Sequence, residues 1–177
     1  MCLRRNIFCH AKSIYEIDVD FYVSLGIKHL LVDLDNTLDS YKLYTPTQKA
    51  FDLKATLDKH GIELIIISNN RGKRVKSYAE ALGVPYLASS RKPFAGKINK
   101  FISLKNIDKS KALFVGDQML TDMGAANKTN IRAVLTDKIV KEDQWTTHFN
   151  RLFDRPMRKR YAKKGKLIDW RTIYGKS

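Results

Sequence analysis

Cysteine, proline and long apolar runs are all scarce in this chain. Of 177 residues, two are cysteine and four are proline. The thiols, Cys2 and Cys9, lie near the start at a spacing that suits neither a zinc pair nor half of a disulfide framework. They read as reduced thiols of a cytoplasmic protein. The four histidines, His10, His29, His60 and His148, form no ligand-like group. No window approaches the ~20 apolar residues that span a bilayer, and the opening segment carries basic residues without the apolar stretch of a secretory signal. Repeats and low-complexity tracts are missing as well. Acidic residues are outnumbered, with Asp+Glu 18 against Lys+Arg 33, a net charge of +15. These shortages exclude a disulfide scaffold and a membrane-spanning protein.

What is present suits one globular domain. A hydrophobic fraction of 44% is ordinary for a folded chain, and the length allows a full core. Apolar runs at His29–Leu34, Glu63–Ile67, Tyr86–Ala88, Ala112–Val115 and Arg132–Leu135 predict strands. Between them, helical patterns begin after Thr45-Pro46-Thr47 (with Ala50, Leu53, Ala55 and Leu57 inward) and cover 71–82, 94–104 and 121–127. Strands alternating with helices predict an α/β fold, a parallel sheet with helices on both faces. The predicted core runs from 25 to 140, with an N-terminal segment, 1–24, packed on it. A helical extension, 141–177, carries Trp145, Phe149, Leu152 and Phe153 at helical spacing and is expected to break at Pro156. From Arg151 onward it holds ten Lys/Arg and two Asp, so +8 of the net charge sits there.

The stretch LLVDLDNTLD, residues 30–39, poses the chemical question, because a buried-type strand ends in two mutually repelling carboxylates, Asp33 and Asp35. In parallel sheets, ligands bind beyond the carboxyl ends of the strands. Those ends carry Asp33, Asp35 and Thr37; then Ser68, Asn69 and Asn70; then Arg91-Lys92-Pro93; then Gly116, Asp117 and Asp122. Any one of these groups alone reads as a turn or a helix cap. Together they make an oxygen-rich site suited to Mg²⁺. One aspartate can attack phosphorus, and the other can protonate the leaving oxygen and then activate water. Ser68 and Lys92 can stabilise the transferring phosphoryl oxygens. Asp122 reads as an outer acid orienting Asp117 or Lys92, or as a helix cap.

With DLDNT (33–37), SNN (68–70), RKP (91–93) and GDQMLTD (116–122), the chain resembles the haloacid dehalogenase (HAD) superfamily phosphatases of subclass IIIA. It is most similar to the YqeG-type group and its relatives, the phosphatidylglycerophosphate phosphatases. That resemblance implies a HAD-like, Rossmann-like fold, Asp33 as nucleophile and Asp35 as general acid/base. It also implies Mg²⁺ held by Asp33, the backbone carbonyl of Asp35 and Asp117, with Thr37, Ser68, Asn69 and Lys92 supporting or binding the phosphoryl group.

Neither inter-motif gap is long enough for a lid domain, so the expected enzyme is capless and suited to a large or membrane-presented phosphate ester, phosphatidylglycerophosphate first. The basic extension, with Met157, Tyr161, Leu167 and Trp170 interleaved, is expected to lie on an anionic membrane at the cytoplasmic face or to pack on the domain. On the first view it sets where the enzyme works and not how its chemistry works. The competing readings are a phosphatase of nucleic-acid or protein phosphates, and a non-catalytic RNA- or ribosome-binding protein that keeps the fold.

Overall fold

The computed structural model describes residues 7–139 and 145–175, and of 145–153 only the helical backbone. Cys2 and the side chains of Trp145, Phe149, Leu152 and Phe153 therefore lie outside the described residues. The strands are β1 (Cys9–Ala11), β2 (His29–Val32), β3 (Glu63–Ile67), β4 (Tyr86–Leu87), β5 (Ala112–Gly116) and β6 (Arg132–Thr136). They form one parallel sheet in the order β1-β6-β5-β2-β3-β4. The outermost strand, β1, comes from the N-terminal segment and pairs Cys9 with Val134. Three residues are too few for a period-two pattern to stand out.

Alternation along the strands builds two cores. Leu30, Val32, Leu64, Ile66, Leu113, Val115 and Val134 face one side. Leu31, Ile65, Ile67, Ala112, Phe114, Ala133 and Leu135 face the other. The first core is covered by α1 (Val19–Ser24), α2 (Gln48–Lys59) and α3 (Gly72–Leu82) through residues such as Phe21, Leu57, Tyr78 and Leu82. The second is covered by α4 (Gly96–Leu104) and α5 (Asp122–Thr129) through Ile98, Ile102, Met123 and Ala126. Helix α2 follows Thr47 as its punctuation predicts, with Ala50 and Leu57 buried and Leu53 half-buried. Ala55, expected on the inner side, is exposed. It stands two residues from Leu57, about 200° round the helix, and so faces water.

The C-terminal extension departs from expectation in one respect and follows one of two expectations in another. First, α6 (Trp145–Lys163) runs through Pro156 and does not break there. Proline removes one donor and crowds the preceding turn, but Asp154 is buried and Met157 and Tyr161 pack against the second core. Tertiary contacts outweigh the local penalty. Second, the apolar residues proposed for a bilayer face are already covered by the domain. Met157, Tyr161 and Leu167 lie on the second core, while Trp170, in α7 (Trp170–Tyr174), is buried in the first against Phe21 at 5.5 Å. His10 N–H donates to the Ile168 carbonyl at 2.7 Å, so the chain end also shields the β1 edge. Charged residues remain outside: Arg155, Lys159, Arg160, Lys163 and Lys164 are exposed.

Among the described residues, no lid interrupts the fold. Residues 38–47 contain no helix or paired strand segment long enough to form one, and 68–85 hold only α3. Among the described residues, no helix is long and apolar enough to cross a membrane.

Candidate active site

The chain runs outward from β2 to β3 and β4, then returns to start β5 on the other side of β2. This reversal opens a crevice at the carboxyl ends of β2 and β5. Asp33 leaves β2 there, its N–H still bonded to the Val115 carbonyl at 2.9 Å, and Asp117 follows β5. Both are buried, and carboxylate oxygens of Asp33, Asp117 and Asp122 lie within 4.8 Å of one another.

Lys92 binds the acids together. Its Nζ lies 2.6 Å from Asp33 Oδ1, 2.8 Å from Asp122 Oδ1 and 2.7 Å from the Ile67 carbonyl oxygen. Burial alone would lower the lysine pKa, but the attraction of Asp122 and Asp33 outweighs it and the net shift is upward. Asp33 is pushed well above the usual carboxylate range, first by burial; Lys92 opposes this, while Asp122, Asp35 and Asp117 add repulsion. Three acids against one lysine leave two formal negative charges in a buried pocket. That surplus fits a hard divalent cation with oxygen ligands.

The sequence allows this crowding at two glycines. A Cβ on Gly116 would stand 2.5 Å from Asp122 Cβ and Cγ, so only glycine lets the strand end and the first residue of α5 approach. A Cβ on Gly124 would meet Pro93 Cβ at 2.9 Å, so α5 also lies close against the residue after Lys92. Asp122 is fully buried, and its Oδ2 accepts the Gln118 N–H at 3.0 Å.

Thr37 Oγ1 donates to Asp117 Oδ1 at 3.4 Å. Ser68 is buried and accepts the Asn70 N–H at 3.1 Å. Asn69 holds the Lys92 segment. Its Oδ1 accepts Lys92 N–H at 2.7 Å and Ser90 O–H at 2.9 Å, and its Nδ2 donates to the Lys92 carbonyl at 2.9 Å. Both ends of that amide are occupied.

The Asp35 carboxylate reaches a partner that sequence reasoning missed. Arg74 on α3 donates to Asp35 Oδ1 at 2.5 Å, to the Leu43 carbonyl at 2.8 Å and to the Ser40 carbonyl at 3.1 Å. One buried guanidinium thus fixes both the second aspartate and the loop after it. The available signal was a charge beside Val75 on a helix face that otherwise continues through Tyr78, Ala79 and Leu82. From α6, Asp154 and Arg158 also reach the Asp117 loop.

This fold has counterparts. Residues 10–136 match the model of the haloacid dehalogenase-like hydrolases, and the chain belongs to that family. Within it the chain is a phosphatase. It is 30% identical over 159 residues to "Probable phosphatase YqeG" of Bacillus subtilis (strain 168), covering 90% of this chain and 92% of that protein. Its fold is similar to an uncharacterized protein from Listeria monocytogenes serotype 4b, with TM-score 0.52, 17% identity, and coverage of 66% and 85% of the two chains. It is also similar to the cobalt-bound deoxy-D-mannose-octulosonate 8-phosphate phosphatase of Haemophilus influenzae, with TM-score 0.50, 12% identity, and coverage of 64% and 80%.

Proposed function

We propose that the protein is a Mg²⁺-dependent phosphomonoesterase acting through an aspartyl-phosphate on Asp33. The observation that carries this is the buried Asp33 carboxylate on Lys92, beside Asp117 and Asp122 with two negative charges in surplus. Asp33, Asp117 and the Asp35 backbone carbonyl are the ligands we assign to Mg²⁺, which when bound supplies charge neutralisation between nucleophile and phosphoryl group. A cobalt-bound structural relative is in keeping with a divalent-metal site.

The residues then divide the work. Lys92, fixed by Asp33, Asp122 and the Ile67 carbonyl, offers a fixed positive charge to the phosphoryl oxygens. Ser68 accepts from Asn70, which leaves its own hydroxyl proton for a phosphoryl oxygen. An Asp33 oxygen attacks phosphorus and the ester P–O bond breaks, its oxygen taking a proton from the Asp35 carboxyl group. Asp35, now a carboxylate, removes a proton from water. That water oxygen attacks the same phosphorus, the bond to Asp33 breaks, and inorganic phosphate leaves.

The substrate we assign is a phosphate ester on a large or membrane-presented body, phosphatidylglycerophosphate first. The lidless crevice supports this, because an open site excludes water poorly and suits a substrate whose own bulk covers it. The exposed charge of α6 adds attraction to an anionic surface. The test is phosphate release from phosphatidylglycerophosphate in anionic vesicles, glycerol phosphate, and a 5′-phosphorylated RNA, each with Mg²⁺ and with EDTA. Asp33→Asn is the control. Release that persists in EDTA, or in Asp33→Asn, overturns the mechanism; preference for RNA overturns the substrate.

A further inference from the structure

The basic extension contains two inward charges among its many outward ones. Asp154 and Arg158 stand four residues apart on α6, on one helix face, and pair at 3.3 Å. Asp154 is 6% exposed, and its Oδ1 accepts the Leu120 N–H at 3.1 Å. Arg158 spreads over two neighbouring strand ends. Its Nη2 donates to the Asp117 carbonyl and, at 2.5 Å, to the Thr136 carbonyl, while Nη1 donates to Asp137 Oδ1 at 2.9 Å. Asp137 also meets His10 Nε2 at 3.0 Å.

These contacts lie where the β5–β6 ladder ends. The last residues paired between β5 and β6 are Gly116 and Leu135, while Thr136 still pairs with Ala11 of β1. Beyond that ladder, the carbonyls of Asp117 and Thr136 accept from the guanidinium. Asp117 thus has its backbone oxygen fixed by Arg158, and three residues on, Leu120 is fixed by Asp154. The remaining end of the same loop is held by Asp122 through the Gln118 N–H. Its carboxylate, meanwhile, lies with those of Asp33 and Asp122. An arginine suits this task because its planar donors reach several acceptors in different directions, whereas lysine offers one point charge.

We propose that Arg158, assisted by Asp154, is a positioning residue of the phosphatase site, setting the Asp117 carboxylate for the divalent cation from the C-terminal extension. The extension therefore belongs to the catalytic architecture, and removing it should disable chemistry on small substrates too. This inference rests on the function proposed above. Residues that orient metal ligands typically change metal affinity or activity 10–100-fold when altered.

The test uses the full chain with Arg158→Met, Arg158→Lys, Lys159→Ala on the exposed side of α6, and Trp170→Leu, which loosens the extension away from Asp117. Mn²⁺ binding is read by electron paramagnetic resonance, p-nitrophenyl phosphate hydrolysis gives kcat and KM, and Tm is taken in EDTA. Both Arg158 variants should lose Mn²⁺ affinity and kcat by roughly 10–100-fold with KM little changed. Arg158→Lys keeps charge and stem, so it carries the test if Arg158→Met does not fold. Lys159→Ala should match wild type, and Trp170→Leu should lower Tm while keeping Mn²⁺ affinity. Wild-type affinity and kcat in Arg158→Lys make Arg158 a mere anchor and overturn the proposal. A wild-type protein that neither binds Mn²⁺ nor releases phosphate overturns the functional reading, and this inference with it.

Discussion

Replacing Gly116 by alanine should injure both stability and catalysis through a single contact. Gly116 is not among the residues of positive φ, so its backbone accepts alanine and the consequence is purely steric. The added Cβ meets Asp122 Cβ and Cγ at 2.5 Å and Oδ2 at 2.6 Å. Carbon atoms pack at about 3.5–4.0 Å, so Asp122 or the strand end must retreat by roughly 1 Å. Asp122 cannot do so quietly, since Oδ1 pairs with Lys92 at 2.8 Å and Oδ2 accepts Gln118 N–H at 3.0 Å. Overpacking of this kind costs about 1–3 kcal/mol, or roughly 2–12 °C in Tm for a domain of this size. A displacement of ~1 Å carried to Lys92 should lower kcat by about 10²-fold. The assay is Tm by calorimetry and kcat on p-nitrophenyl phosphate, with Asp122→Gly as a second background in which the clash is absent. There Gly116→Ala should cost less than about 0.5 kcal/mol, a coupling between touching residues. Equal costs in the two backgrounds would refute the reasoning, as would a Gly116→Ala protein with wild-type stability and rate.

Arg74→Met should lower kcat about 10²-fold and destabilise by about 3–5 kcal/mol, because it strands a largely buried Asp35 and frees the loop carbonyls of Ser40 and Leu43; Arg74→Lys should recover stability more than rate, and full recovery of both defeats the idea. Burial, with Asp169 adding repulsion, pushes the Cys9 thiol up to about 12. In a Cys2→Ser background iodoacetamide at pH 8 should then find about one thiolate in 10⁴ and label Cys9 only after urea, so rapid native labelling contradicts the burial. Asp137 is held below its ordinary range, first by the His10 hydrogen bond and also by Arg158. A depressed carboxyl stabilises fully above its unfolded value of about 3.9 and loses that contribution as pH falls through the folded value. The Tm gap between wild type and Asp137→Asn should therefore shrink as the solution is acidified below about pH 5; a gap that widens there is the wrong sign.

Five strands, their helices and the acids at the strand ends were legible in the sequence because each is a local pattern. A strand buried on both faces must be an unbroken apolar run such as ELIII, and a turn needs residues such as Thr45-Pro46 or Gly83. Aspartates ending such runs have few structural reasons to be there, so Asp33, Asp35 and Asp117 stood out. The tertiary structure alone decided which charge meets which. Arg74 lies 39 residues from Asp35 and Arg158 41 from Asp117, and nothing local marks either pair. Charge count left the extension either on a membrane or on the domain, whereas in the fold Asp154, Arg158 and Trp170 turn inward, onto the Leu120 N–H, the Asp117 and Thr136 carbonyls and Phe21. Pairing energy falls steeply with distance and rises with burial, and both are properties of the folded chain and not of its order.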